Sequence, residues 1–451
     1  MKVKTLGLVD LIALEVGMTI GAGVFTFLPL AASKTGNGTI LALVFAAVPM
    51  LFILLNLMIL GSILPTTGGT FKYGAYLFSP VVSFVGVWLY LFGAFVGFFP
   101  LTALTLSKYI QTLWSQTPLI PFAIAVLTVF YLINLFGIKI ASRIEVVFVI
   151  TLFASLLIYI FSGFHSIDPS NLEGIFSHEL NNVFYSAALL TFIFLGSNAV
   201  LEVGGDIKNA KRNMPVSVVI SFITVLAVYL AISFVTFGVA SADVSASGTL
   251  NNVASRFLKG FLYYFFTFGG PILAIVTTIN ATYMWGSRSL IALSKMSIIP
   301  TRFSRQNRWG TPYILITGIW LISCFSLIVL GEGGLEVFGL FASIGGIAIL
   351  IPSILALTRI NRFSELRGLV PNYVKKKWFV VMPWLGVLFS AIIFILLIYQ
   401  LLTEHNLYYL IGLFIWVTLG FVYIKIRRKH LQSKNKDPFE KEISSDLFIE
   451  E

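Results

Sequence analysis

Charge is scarce in this chain: only 11% of its 451 residues are Asp, Glu, Lys or Arg, against 58% that are hydrophobic. A soluble protein of that length has no interior large enough to hide so much apolar surface, so a bilayer must act as its solvent. Cysteine is almost missing too. The lone Cys324 lies in an apolar run and excludes an intrachain disulfide framework. The four histidines (His165, His178, His405, His430) all fall in loops or the tail, which argues against a histidine metal cluster or proton relay inside the membrane. No polar segment is long enough for a soluble domain.

What is present is a series of apolar windows of about 20 residues, the length at which a helix crosses hydrocarbon with its backbone paired internally. They predict helices over 7–33, 39–62, 79–106, 118–137, 144–163, 181–203, 215–240, 260–287, 312–330, 335–358, 378–402 and 407–426, an all-α integral membrane protein with twelve spans. The run 6–32 is basic in front and apolar behind, as in a signal peptide. It is too long, and Glu15 interrupts it, so it reads as a retained first helix.

The net charge of +11 would suit nucleic acid; its placement does not. With the N-terminus inside and loops assigned alternately, 26 of the 30 basic residues fall inside, leaving Lys34, Lys108, Arg256 and Lys259 outside. This positive-inside pattern sets both termini in the cytoplasm of a multi-pass cell-membrane protein whose partners are the lipid bilayer and a small solute, not nucleic acid. Whether it is a monomer or a homodimer stays open. The expected division is a transporter domain over 1–427 and a cytoplasmic tail over 428–451. The tail starts basic at 425–429, suiting anionic headgroups, and its acidic end reads as disorder.

Two spans do not read as uniform helices. The first carries Gly17-Met18-Thr19-Ile20-Gly21-Ala22-Gly23, and the sixth carries Gly196-Ser197-Asn198, then Gly204-Gly205. Each glycine weakens a helix interior by about 1 kcal/mol relative to Ala. Close packing through small residues would explain either segment alone. Spans one and six are, however, equivalent members of two five-helix halves, and paired interruptions point to a midplane binding site. A half-helix N-terminus accepts a carboxylate and a half-helix C-terminus an ammonium, so two broken helices suit a zwitterion without side-chain charge. The amides of Ala22 and Gly23 are the candidates for the carboxylate. Carbonyls around Met18 and Thr19, with those of Phe192, Ile193, Phe194 and Leu195 at the end of an outer half-helix, are the candidates for the ammonium. Gly21 and Gly196 mark the breaks, and Asn198 is either a polar contact or a helix cap.

These residues resemble the amino acid–polyamine–organocation permeases over nearly the whole chain. Gly17…Gly21-Ala22-Gly23-Val24-Phe25 is similar to the family's G-x-x-x-G-x-G-[IV]-F signature, and Pro65-Thr66-Thr67-Gly68-Gly69 with Tyr73 to its P-x-x-G-G-x-x-x-Y. Phe192 to Gly196 followed by Lys208-Asn209-Ala210-Lys211-Arg212-Asn213-Met214-Pro215 resembles F-A-F-x-G and K-N-P-x-R-N-x-P. Ser287-Arg288 through Pro300, then Gly310-Thr311-Pro312, completes the order. The resemblance implies a LeuT-like 5+5 inverted repeat (7–163 and 181–358) plus two helices (378–426), alternating access, discontinuous helices 1 and 6, and Phe192 as a lid. The chain departs from it at Asp206, where one carboxylate replaces two, at Ala210, and at Leu152, where some relatives carry a lysine in place of a sodium ion.

Three readings of the driving force stand open, and no other cofactor is expected. Sodium is one: Gly17, Ile20, Ala274, Thr277 and Thr278 match the sodium site that the resemblance implies, and oxygen-only ligation suits a hard cation. Protons are another: Glu15 and Glu202 are the carboxylates well inside the spans. Exchange without an ion is the third. Phe192, Phe194 and Ile20 favour a neutral amino acid substrate. The rival readings are a non-transporting amino acid sensor and a polyamine or cationic amino acid exchanger. A membrane enzyme would need a nucleophile or acid–base constellation near the interface, and none is visible.

Overall fold

Long runs of Leu, Ile, Phe and Val leave the backbone no hydrogen-bond partner but itself, and the chain is helical almost throughout. The computed structural model describes residues 6–66, 68–137, 142–295, 297–360, 366, 377–434, 437 and 439. The acidic end of the tail and most of the connection over 361–376 lie outside the described residues.

In chain order the first helices are α1 (Leu8–Thr19), α2 (Ala22–Thr35), α3 (Thr39–Ile63), α4 (Gly69–Leu77), α5 (Pro80–Phe92) and α6 (Phe99–Gln111). Then come α7 (Leu119–Leu135), α8 (Ser142–Phe164), α9 (Leu180–Leu190), α10 (Ala210–Ser247), α11 (Asn251–Phe257) and α12 (Gly260–Thr267). The last are α13 (Leu273–Lys295), α14 (Tyr313–Leu330), α15 (Leu335–Ala348), α16 (Ile351–Arg359), α17 (Lys377–Glu404) and α18 (Leu407–Gln432). Among the described residues, ten helical stretches are long and apolar enough to cross a membrane. One of them, Ala22–Ile63, joins α2 and α3 through a turn at Gly36, whose φ of 49° needs a glycine; its 42 residues are about twice what one crossing takes. α7 is apolar but shorter.

Several expected windows close within two residues of the observed helices, and the differences have physical causes. The first window is two helices, α1 and α2. The third and eighth contain wide π segments at Gly93–Phe98 and Phe268–Ile272. In the second of these, Pro271 lacks the N–H that regular winding would use. The seventh helix starts at Ala210, five residues earlier than expected. Ahead of its acidic end the tail is docked: Arg428 Nη2 lies 3.0 Å from Asp437 Oδ2, and the Phe439 ring lies 5.4 Å from that of Tyr76.

The innermost stretch is Glu332–Arg359, 89% buried, whereas Leu407–Gln432 at the periphery is only 17% buried. The reason is side-chain size. A methyl group on Gly93 would stand 2.5 Å from Phe341 O, and one on Gly97 2.7 Å from Phe338 O, so only glycine lets this helix lie on the backbone of α15. The outermost helix is fastened by aromatic contacts: Tyr423 lies on Phe84 and Trp88, and Trp416 on Trp88 and Phe92. Trp88 and Trp416 stack at 4.5 Å, and each indole N–H donates to the other's carbonyl, at 2.9 and 3.0 Å.

The two faces of the bundle are distinct. Leu6 pairs with Ile207 in a short parallel bridge, and Phe439 lies on α4 beside Phe71 and Tyr76. Both ends of the described chain therefore share one face. Lys34, Glu336 and Glu404 meet on the other.

Candidate substrate site

The first helix stops at Thr19 for local reasons. Thr19 Oγ1 turns back to donate to Glu15 O at 2.6 Å, Ile20 leaves helical geometry (φ −81°, ψ 89°), and Gly21 is extended (φ −141°, ψ −142°) before α2 starts at Ala22. The first amides of α2 consequently have no partner within their own helix. That of Ala22 donates to Thr278 Oγ1 at 3.2 Å, and a methyl group on Gly21 would stand 3.0 Å from the same oxygen. On Gly23 a methyl group would meet Ile193 at an ordinary 3.5 Å.

The sixth span differs from the expectation. No gap opens at Gly196-Ser197-Asn198, and no outer half-helix ends at Phe192 to Leu195. Instead α9 ends at Leu190 and the chain tightens into a 3-10 helix over Thr191–Glu202. Thr191 Oγ1 donates to Ala188 O at 2.6 Å where the change begins. Such a run is long for this geometry, and mid-helix 3-10 winding commonly marks a hinge. Gly196 serves close approach rather than interruption. A methyl group there would stand 2.4 Å from Met18 O and from Thr19 N and Cα. Next to it, Ser197 Oγ lies 3.2 Å from Thr19 Oγ1.

Between these two segments stands a residue that sequence reasoning missed. Tyr229, on α10, donates through Oη to Thr19 O at 2.7 Å and lies 3.2 Å from Ile193 O. Those carbonyls belong to the set expected to hold the ammonium. One proton faces two acceptors, so a hydroxyl fills a place suited to a richer donor. A weak signal did exist: Tyr229 is the one tyrosine of α10, two turns after Ser221.

Above the break, Phe192 stacks on Phe27 at 4.7 Å and contacts Phe98 at 4.9 Å. Gly346 of α15 lies beneath it, where a methyl group would come within 3.2 Å of the ring and 2.3 Å of Leu195 Cδ1. Phe194 turns away from this layer and stacks on Phe222 at 5.0 Å. Met18 is 48% exposed, and Asn198 is half-buried.

The candidate ion residues separate into two groups. Glu15 is fully buried; Ser217 Oγ donates to its Oε1 at 2.8 Å, while its Oε2 and the hydroxyl of Ser221 have no hydrogen-bond partner. Glu202 lies at the start of α4, where Gly68 N donates to its carbonyl at 3.4 Å. Of the sodium set, Thr278 reaches the break through Ala22. Thr277 instead turns into its own helix, donating to Leu273 O at 2.8 Å and lying 3.1 Å from Ala274 O. Ile20 N donates to Val16 O, and Gly17 borders open space. An oxygen-only set is present, but Thr277 and Ala274 are engaged with each other in this conformation.

The family profile described as amino acid permease matches residues 6–421. The chain is 23% identical to the branched-chain amino acid permease BcaP of Bacillus subtilis (strain 168), covering 95% of this chain and 94% of that one. It is 23% identical to the gamma-aminobutyric acid permease of the same organism over 81% of each chain, and 24% identical to its methylthioribose transporter over 73% of this chain and 76% of that one.

Proposed function

The chain belongs to the amino acid permease family, and from that premise we propose that it carries a neutral amino acid across the cell membrane by alternating access. It is a multi-pass membrane transporter and not an enzyme. The proposed architecture is twelve spans in a LeuT-like 5+5 inverted repeat with two further helices, a transporter domain over 1–427 and both termini in the cytoplasm. Family membership and the break at Ile20–Gly21 support it.

In the proposed mode the substrate carboxylate meets the amides opening α2, around Ala22 and Gly23, taking the place of the Thr278 hydroxyl on Ala22 N. The ammonium takes the carbonyls of Thr19 and Ile193, displacing the hydroxyl of Tyr229. The observation that carries this reading is that single hydroxyl shared between two carbonyls from different helices. Three N–H donors would satisfy both acceptors at once. Phe192 closes the site on the face opposite the termini, and exposed Met18 lies toward the termini, which supports an inward-facing state. The neutral, apolar substrate class rests on Phe192, Phe27 and Phe98 together with the relative named as a branched-chain permease.

Of the three driving forces, a proton carried by Glu15 has the most support. A buried carboxylate facing hydroxyls and no cation among the described residues is costly as a charge and inexpensive as an acid.

Uptake of radiolabelled amino acids into proteoliposomes tests the function, with sodium and proton gradients imposed separately. Accumulation of branched-chain or other small neutral amino acids under a proton gradient is the expected result. No flux and no binding for any amino acid or amine would end the proposal.

Tyr229→Phe tests the mode of binding. Its removal takes away the donor the two carbonyls share, Thr19 O keeping the amide of Gly21 at 3.1 Å, a cost of about 0.5–1.5 kcal/mol that falls on the empty carrier. Substrate binding is therefore expected to tighten several-fold while net uptake, which needs the empty carrier to return, slows more than exchange. Equal slowing of both with unchanged affinity would remove Tyr229 from the site.

A further inference from the structure

The face opposite the termini holds a second cluster of chemistry, well away from the helix breaks. Lys34 in the last turn of α2 lies 2.6 Å from Glu336 Oε1 in the first turn of α15, and also pairs with Glu404 at the end of α17. Gln400, one turn earlier, donates through Nε2 to Glu336 Oε1 at 2.9 Å and to Glu404 Oε2 at 3.4 Å. His405 completes the corner, with Nε2 3.6 Å from Glu336 Oε2. Two carboxylates and one ammonium leave it a net negative charge.

Among the described residues, two polar atoms in this corner have no hydrogen-bond partner: Gln400 Oε1, on a fully buried side chain, and His405 Nε2. The separation of 3.6 Å is too long for a hydrogen bond. It is close to the roughly 3.3–3.5 Å between two ligands of one tetrahedral zinc, each bound at about 2.0–2.1 Å. One ligand atom each from Glu336, Glu404 and His405 lie within 4.8 Å of one another. A nitrogen with two carboxylate oxygens is a zinc-class donor set; magnesium and calcium take oxygen alone.

We propose that Glu336, Glu404 and His405 form a binding site for a transition-metal dication of the zinc class, with Lys34 as a built-in competitor and Gln400 able to add Oε1 as a fourth ligand by turning its amide over, which gives up the Nε2 bonds to both carboxylates. The ion would tie α15 to the end of α17 at the point where Lys34 anchors the outer half of the first helix. Bound metal would displace Lys34 from both carboxylates and release that end of α2, so zinc added on this face would change the rate of transport. Ligation needs deprotonated donors, so binding weakens on acidification.

The test is calorimetry with zinc chloride on the purified, chelator-treated full chain in detergent, without substrate, so that its outcome is independent of any transport assay. One zinc per chain is expected. Affinity should fall at least about tenfold in His405→Ala and rise in Lys34→Met, which removes the competing ammonium. Cobalt substituted at the site should show the intense visible bands of tetrahedral coordination in the wild type and lose them in His405→Ala. Metal-free melting temperatures equal to wild type verify that both variants fold. Equal zinc affinity in wild type and His405→Ala, no binding at all, or weaker binding in Lys34→Met would each overturn the site.

Discussion

Gly196→Ala is expected to abolish uptake and lower the melting temperature, whereas Gly412→Ala leaves uptake intact. The added methyl group at 196 would stand 2.4 Å from three backbone atoms of Met18 and Thr19, and backbone cannot rotate aside as a flexible side chain can. Overpacking a close contact costs about 1–3 kcal/mol and more when backbone must move. Here the atoms that must move carry the carbonyls and amides of the proposed site, so function and stability fall together. Gly412, on the peripheral α18, has nothing within 4 Å, and alanine there favours the helix by up to ~1 kcal/mol. Melting curves and initial uptake rates of the two variants check this. Wild-type uptake by Gly196→Ala would mean that the two segments do not touch in the working protein.

Glu15→Gln should separate accumulation from exchange. Glutamine has the shape of the protonated side chain and can keep the contact with Ser217, so the fold is retained. If one proton moves with each substrate, a gradient of one pH unit is worth about 1.4 kcal/mol, or about a tenfold accumulation. Glutamine cannot give up a proton, and the variant is expected to lose that accumulation while exchange of labelled for unlabelled substrate continues. Glu202→Gln should keep it, because Glu202 sits at the start of α4 rather than against the first helix. Accumulation unchanged in Glu15→Gln would move the coupling elsewhere.

How far the sequence could be read follows from which contacts are local. The break of the first helix was legible because its cause is local: glycines at 17, 21 and 23 and a threonine able to bond its own helix four residues back. In the sixth span α winding does stop, at Leu190, but the place and the role of Gly196 differ from the expectation, for the complementary reason. Gly196 looks like a helix breaker in sequence, yet it is there to let two backbones touch, a tertiary fact that no local pattern carries. The actual change of winding starts at Thr191, five residues earlier. Thr278 was singled out as an ion ligand, while its bond to Ala22, 256 residues away in sequence, was beyond reach. Tyr229 was hidden among the 17 tyrosines until its hydroxyl met two carbonyls. The docking of Phe439 on Tyr76 depends on where α4 lies, which no local pattern carries.

A cryo-electron microscopy map of the protein with a transported amino acid bound would bear most directly on the whole account. The ligand should lie at Ile20–Gly21, its carboxylate on the amides that open α2, its ammonium between Thr19 O and Ile193 O, and the ring of Tyr229 withdrawn from both. A first helix wound without interruption through residue 21, or a ligand seated elsewhere with Tyr229 still bridging those carbonyls, would contradict it.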